Sequence, residues 1–226
     1  MFYVLFKHLP SSSSSSIFER GIKTTLPLTA HFLSAFTNIK QTTYNPRQPV
    51  AGFILTVLMS RGLMFPKGSS VQALIVGGRG AIGGAVAAHL EKFSKDHDLK
   101  LTSVVTSRDQ AFVDKVNQGS SQKSAYVLNP SCEKSFEAFT SHLKSEKFKP
   151  NLIFNACGLL HDQANDIRPE VSFRKITEEA MRKNFEANLL SNALSLRFLL
   201  GELAEPKANA GVYATLSAKV SSVSDQ

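Results

Sequence analysis

The chain is short of several things, and each shortage narrows its class. It has two cysteines in 226 residues, Cys132 and Cys157, far apart. That leaves no disulfide framework and no metal-ligand spacing; it suits a reducing compartment and makes both thiols inert small hydrophobes. Apolar runs of the roughly 20 residues needed to cross a bilayer are missing. The most apolar stretch, residues 50–59, is cut off by Ser60-Arg61-Gly62. Acid is scarce at the start: residues 1–70 carry Lys7, Arg20, Lys23, Lys40, Arg47, Arg61 and Lys67 against Glu19 alone, a net of +6. The remainder holds 19 basic and 17 acidic side chains, so the overall +8 sits mostly in the first third and leaves no basic face for nucleic acid.

That first third reads as a leader. It is rich in Ser and Thr, includes the run Ser11 to Ser16, and is broken by Pro10, Pro27, Pro46, Pro49 and Pro66. Such a composition is that of an organelle transit peptide, with the mitochondrion expected and plastid or cytoplasm as alternatives. Residues 71–226 then have room for one domain, and 42% hydrophobic content is enough for a core.

From residue 71 the pattern alternates. Short apolar runs at 71–77, 99–107, 124–129, 151–158 and 211–217 predict strands; the segments between them, 81–96, 109–117, 132–146 and 178–203, predict helices. Ile82, Val86, Leu90 and Phe93 recur at helical spacing, as do Phe136, Phe139 and Leu143. Regular alternation with strands apolar on both faces predicts an α/β fold: a Rossmann-type doubly wound parallel sheet of five strands, preceded by a disordered leader over 1–70.

Between the first of these strands and the first helix lies GGRGAIGG, residues 77–84. Gly77, Gly80 and Gly83 let the chain turn sharply, approach a pyrophosphate with bare backbone, and pack helix against strand, while Arg79 and Ile82 sit within the loop and first turn. The end of the second strand bears on which dinucleotide is bound. A carboxylate there would accept hydrogen bonds from a free ribose 2'-hydroxyl; the chain offers Thr106-Ser107-Arg108, with Asp109 only after the arginine. A guanidinium matches a 2'-phosphate in charge and fork geometry, so NADP is expected over NAD, with Arg108 as its reader and Arg79 in support.

LIVGGRGAIGGAV, NLIFNACGLLHD, NFEANLL and VYATLSAKVSSVSDQ, in that order and at that spacing, resemble a short-chain dehydrogenase/reductase of the branch called C-factor-like. The resemblance covers 71–226 and departs from the family's pattern at three points. Ala81 stands at the middle glycine; Asn155-Ala156-Cys157-Gly158 keeps only the ends of the Asn-Asn-Ala-Gly motif; Asn129 stands at the adenine-contacting Asp. The resemblance implies a reductase of carbonyl or alcohol substrates and a homo-oligomer in the full-length form. It assigns Asn129, Asn155 and Gly158 to the cofactor, Asn188 to a proton relay, and Ser217, with Ser222 as competitor, to the substrate carbonyl.

The resemblance also expects a Tyr-x-x-x-Lys pair a dozen or more residues after Ser217, to donate the proton and hold the ribose. On this reading no such pair occurs anywhere in the chain. Tyr126 is followed four residues on by Pro130, and Tyr213 by Ser217. Two functions are therefore carried forward: an NADP-dependent oxidoreductase truncated before its acid, or a catalytically incomplete nucleotide-binding or signalling module. The same gap would leave the outer edge of the last strand unpaired.

Overall fold

The computed structural model describes residues 2–7, 65, 67–119, 121–159, 174, 176–204 and 211–216. In chain order these form β1 (Phe2–Lys7), β2 (Ser70–Val76), α1 (Ala81–Asp96), β3 (Lys100–Ser107), α2 (Gln110–Asn117), β4 (Lys123–Val127), α3 (Glu133–Ser145), β5 (Leu152–Asn155), α4 (Glu178–Phe185), a π turn (Glu186–Leu190), α5 (Ser191–Leu199), a 3-10 turn (Leu200–Glu202) and β6 (Gly211–Leu216). The strands lie in the order β1-β6-β5-β2-β3-β4. Five of them, β2 through β6, run parallel, as the alternating pattern predicts.

Both faces of that sheet are buried, and the period-2 alternation of each strand divides the core. On one face Val71, Ala73 and Ile75 of β2, Leu152 and Phe154 of β5 and Val212 and Ala214 of β6 pack with Val86, Leu90 and Phe93 of α1 and Val113 of α2. On the other, Leu74, Val76, Ile153 and Tyr213 meet Phe136, Phe139 and Leu143 of α3 and Leu194 and Leu199 of α5. Ile82 departs from its expected place on the buried face of α1: in the first turn it is 44% exposed.

The outer edge of β6 is not open. β1 pairs antiparallel along all of it, from Phe2 opposite Leu216 to Lys7 opposite Gly211. The expectation of an unpaired edge is corrected by this strand, which satisfies the row of β6 backbone groups that an edge would expose. More of the expected leader joins the fold at its other end. Phe65 is buried in the α1 face, the Gly68 amide donates to the Asp98 carbonyl at 3.0 Å, and the Lys100 amide to that of Ser69 at 3.0 Å. Leader positions 1, 8–64 and 66, including the serine run, lie outside the described residues.

The long helix expected over 178–203 is interrupted. Between α4 and α5 the five residues Glu186–Leu190 form a π turn centred on Asn188. One extra residue in a helical turn rotates everything after it and frees local backbone groups, a device frequent at functional sites. Here the Ser191 hydroxyl and the Asn192 side-chain amide donate to the carbonyls of Ala187 and Asn188, at 2.6 and 2.7 Å.

Candidate functional site

Parallel strands β2 and β5 diverge into their helices on opposite faces, and the crevice beyond their carboxyl ends is where a doubly wound sheet takes a ligand. A cleft of about 600 Å³ lies there, bounded by Gly77, Arg79 and Gly80, by Thr106 to Asp109, by Leu128, Pro130 and Ser131, by Ala156 to Leu159, and by Lys183, Glu186 and Ala187.

Its floor is the glycine loop, and three of the glycines are needed for steric reasons. Gly77 has φ +82°, the left-handed region that favours glycine. A Cβ on Gly83 would stand 2.3 Å from the Gly77 carbonyl oxygen, and one on Gly78 would stand 2.7 Å from Cβ of Val105. Thr106, buried at the end of β3, pins the loop: its hydroxyl accepts from the Gly77 amide at 3.2 Å and its carbonyl from the Gly78 amide at 2.9 Å. The Gly80 amide then closes a turn onto the Gly77 carbonyl at 3.1 Å. Gly80 is also the N-cap of α1, with no side chain to offer, and the first turn carries no acid. By contrast α2 is capped by Asp109 and α4 by Thr177. The amides and positive dipole end of α1 thus meet the cleft without a side-chain acceptor.

The cleft mouth is charged. Arg108 lines it beside Asp109, and Arg79 Nε lies 3.1 Å from Asp109 Oδ2. On the far wall Lys183 pairs with Glu179 at 2.8 Å, and that contact holds the Glu179 carboxyl below its usual range through the Lys183 hydrogen bond and charge. Cys157 lines the floor, half-buried. Burial pushes its thiol up to about 11, against the opposing pull of the Arg108 charge, so it is protonated and inert at neutral pH.

The β5 side is built from polar side chains. Asn155 is fully buried; its Oδ1 accepts from the Cys157 amide at 3.0 Å and its Nδ2 donates to Asn192 Oδ1 at 2.8 Å. The Thr215 hydroxyl on β6 donates to the same Asn192 oxygen at 2.5 Å. Nearby, the buried Tyr213 hydroxyl donates to Ser195 Oγ at 2.9 Å. Asn188, placed by the π turn, clasps the backbone of one residue through both of its peptide groups: the Leu159 amide donates to its Oδ1 and its Nδ2 donates to the Leu159 carbonyl, each at 2.8 Å. Gly158 is tight against this clasp, since a Cβ there would lie 3.2 Å from Asn188 Oδ1.

Of the residues singled out from sequence, Gly77, Arg79, Gly80, Arg108 and Gly158 line the cleft together. Gly83 lies under the loop. Asn155 lies below the floor and orients it through Cys157 rather than lining it. Asn129 does not line the wall; its Oδ1 accepts from the Ser131 amide at 3.1 Å in a turn, and Leu128, Pro130 and Ser131 form the wall instead. Ser217 and Ser222 lie outside the described residues. Thr106, Lys183, Asn192 and Thr215 were not anticipated; of these, only Thr106, at the strand end facing the glycine loop, carried a local signal.

The Tyr-x-x-x-Lys spacing also needs correction. It is absent from 71–226 but occurs at Tyr3 and Lys7, ahead of the region of resemblance. Both lie in β1, where residues four apart are separated by about 13 Å of extended chain instead of one helical turn.

No family model and no curated protein matches the sequence. Among solved structures the chain is similar to an NADPH-bound carbonyl reductase from chicken fatty liver, at 16% identity and TM-score 0.49, covering 63% of this chain and 51% of that one. It is similar to a 3-ketoacyl-(acyl-carrier-protein) reductase from Brucella melitensis complexed with NADH, at 20% identity and TM-score 0.47, covering 58% and 50%. A short-chain dehydrogenase from Streptomyces avermitilis matches at 18% identity and TM-score 0.46, covering 59% and 44%. The chain therefore spans about half the length of the solved structures it resembles.

Proposed function

We propose that the cleft binds NADP(H) in preference to NAD(H), and that the protein is an oxidoreductase of the short-chain dehydrogenase/reductase type acting on a carbonyl or alcohol substrate. The observation that carries the reading is the pairing of a glycine-built, uncapped α1 N-terminus with two arginines at the cleft mouth. The glycines serve the loop sterically, since a Cβ on Gly78 would meet Val105 and one on Gly83 the Gly77 carbonyl, so only a bare backbone turns this tightly into α1. The Gly77 to Gly83 loop would hold the pyrophosphate, and Arg108 with Arg79 the 2'-phosphate. When bound, the nicotinamide supplies the hydride chemistry. Asn188 acts on the cofactor side through Leu159, whose backbone it fixes, and Ser217 is the candidate for orienting the carbonyl.

NADPH consumption by the full chain over a panel of aldehydes and ketones tests this reading: turnover supports the reductase, and failure to bind nucleotide overturns it.

Two further expectations accompany this reading. The exposed apolar side chains Met181, Phe185 and Leu189, four residues apart along α4 and the π turn, support self-association, to be read by sedimentation. The basic, serine-rich composition of residues 1–70 supports import into mitochondria, to be read by imaging a fluorescent fusion of that segment.

A further inference from the structure

We propose that Asp109 is a positioning residue that sets the cleft's preference for a 2'-phosphate by holding Arg79; this rests on the NADP reading above. The carboxylate is fixed from its own side. Oδ1 accepts from the Phe112 amide at 3.2 Å as the cap of α2, and the Asp109 amide donates to Ser107 Oγ at 3.0 Å. Oδ2 is left to face the glycine loop, where it meets Arg79 Nε at 3.1 Å. The contact engages Arg79 through Nε, the inner nitrogen of the guanidinium. Arg79 is otherwise a long side chain on a loop of glycines, 61% exposed, with little beside it to restrict its rotamers.

An arginine tethered at Nε presents its outer fork with less entropy left to lose when an anion arrives. Arg108 immediately precedes Asp109, so the tether places a second guanidinium at the mouth that Arg108 already lines. As an ion pair between partly exposed groups the contact adds little to stability. Its consequence falls on the ligand. Asp109, which by charge alone would repel a phosphate, favours one by orienting the cation that receives it.

The test is calorimetric titration of the full chain with 2',5'-ADP and with 5'-AMP, which differ only in the 2'-phosphate. Wild type, Asp109→Asn, Arg79→Ala and the double variant are compared. Asparagine caps a helix as well as aspartate does, so α2 is retained, and Asp109→Ser provides a second capped, uncharged variant. Wild type prefers 2',5'-ADP, and Asp109→Asn weakens that ligand by about three- to five-fold while leaving 5'-AMP within about two-fold. In the Arg79→Ala background Asp109→Asn changes neither ligand. Equal weakening of both ligands would reduce Asp109 to a helix cap. Tighter 2',5'-ADP binding would make it a repelling charge, and an undiminished loss in the Arg79→Ala background would detach it from Arg79; each of these overturns the proposal. A wild type without preference for 2',5'-ADP overturns the NADP reading itself, and the proposal with it.

Discussion

The two sides of the cleft are held by different physics. On the β2 and β3 side the chain is shaped by what is absent: glycines without Cβ atoms, an α1 N-terminus without a cap, and a loop pinned mainly by backbone amides to Thr106. On the β5 and β6 side it is shaped by side chains, with Asn155, Asn188, Asn192 and Thr215 linking strand ends to α5 and to the Leu159 backbone. The first arrangement leaves donors for a ligand. The second uses up its own donors and acceptors, and so gives a rigid wall more than a binding surface.

If that contrast is right, the two sides should fail differently. The largest effect belongs to Gly83→Val. With even a Cβ standing 2.3 Å from the Gly77 carbonyl, α1 and β2 must separate, at a cost of about 3 kcal/mol in a urea unfolding titration and with loss of nucleotide binding. Asn155→Leu comes next. It strips the Cys157 amide of its buried acceptor and Asn192 of a donor, costing about 2 kcal/mol by the same titration, while nucleotide affinity falls less steeply than in the glycine variant. Tyr213→Phe removes one buried hydroxyl from Ser195 and costs about 1 kcal/mol, with nucleotide affinity unchanged.

The smallest effect is one of reactivity. Because burial disfavours the Cys157 thiolate, its alkylation by iodoacetamide stays slow at neutral pH and accelerates as pH rises toward about 11. Peptide mass mapping of the labelled sites across pH reads this directly. Rapid labelling of Cys157 at neutral pH would show that the floor of the cleft is open to water.

The same contrast explains what could be read from the sequence. The glycine loop and the strand-helix alternation are local patterns, and both appear in the structure where the residues put them. The polar wall is not local: Asn155 meets Asn192 across 37 positions, and Asn192 meets Thr215 across 23. Nothing in the spacing of single asparagines distinguishes these from surface residues. The π turn at Glu186–Leu190 was hidden for a related reason, since its carbonyls are satisfied by Ser191 and Asn192 in a segment of ordinary helical composition. The pairing of β1 with β6 was hidden by a strand whose partner lies some 200 residues away, inside a stretch whose composition reads as a leader. Asn129, matched by its position in the motif, accepts at Oδ1 from the Ser131 amide, a turn contact that the motif itself does not foretell.

The central claim is that the glycine side of the cleft receives a phosphorylated dinucleotide. It is tested most directly by titrating the full chain with NADPH and with NADH and following the fluorescence of the reduced nicotinamide. The account predicts saturable binding of NADPH, with NADH weaker by about ten-fold or more, the equivalent of roughly 1.4 kcal/mol. Equal affinity for the two would contradict the roles given to Arg79 and Arg108, and binding of neither would contradict the reading of the glycine loop.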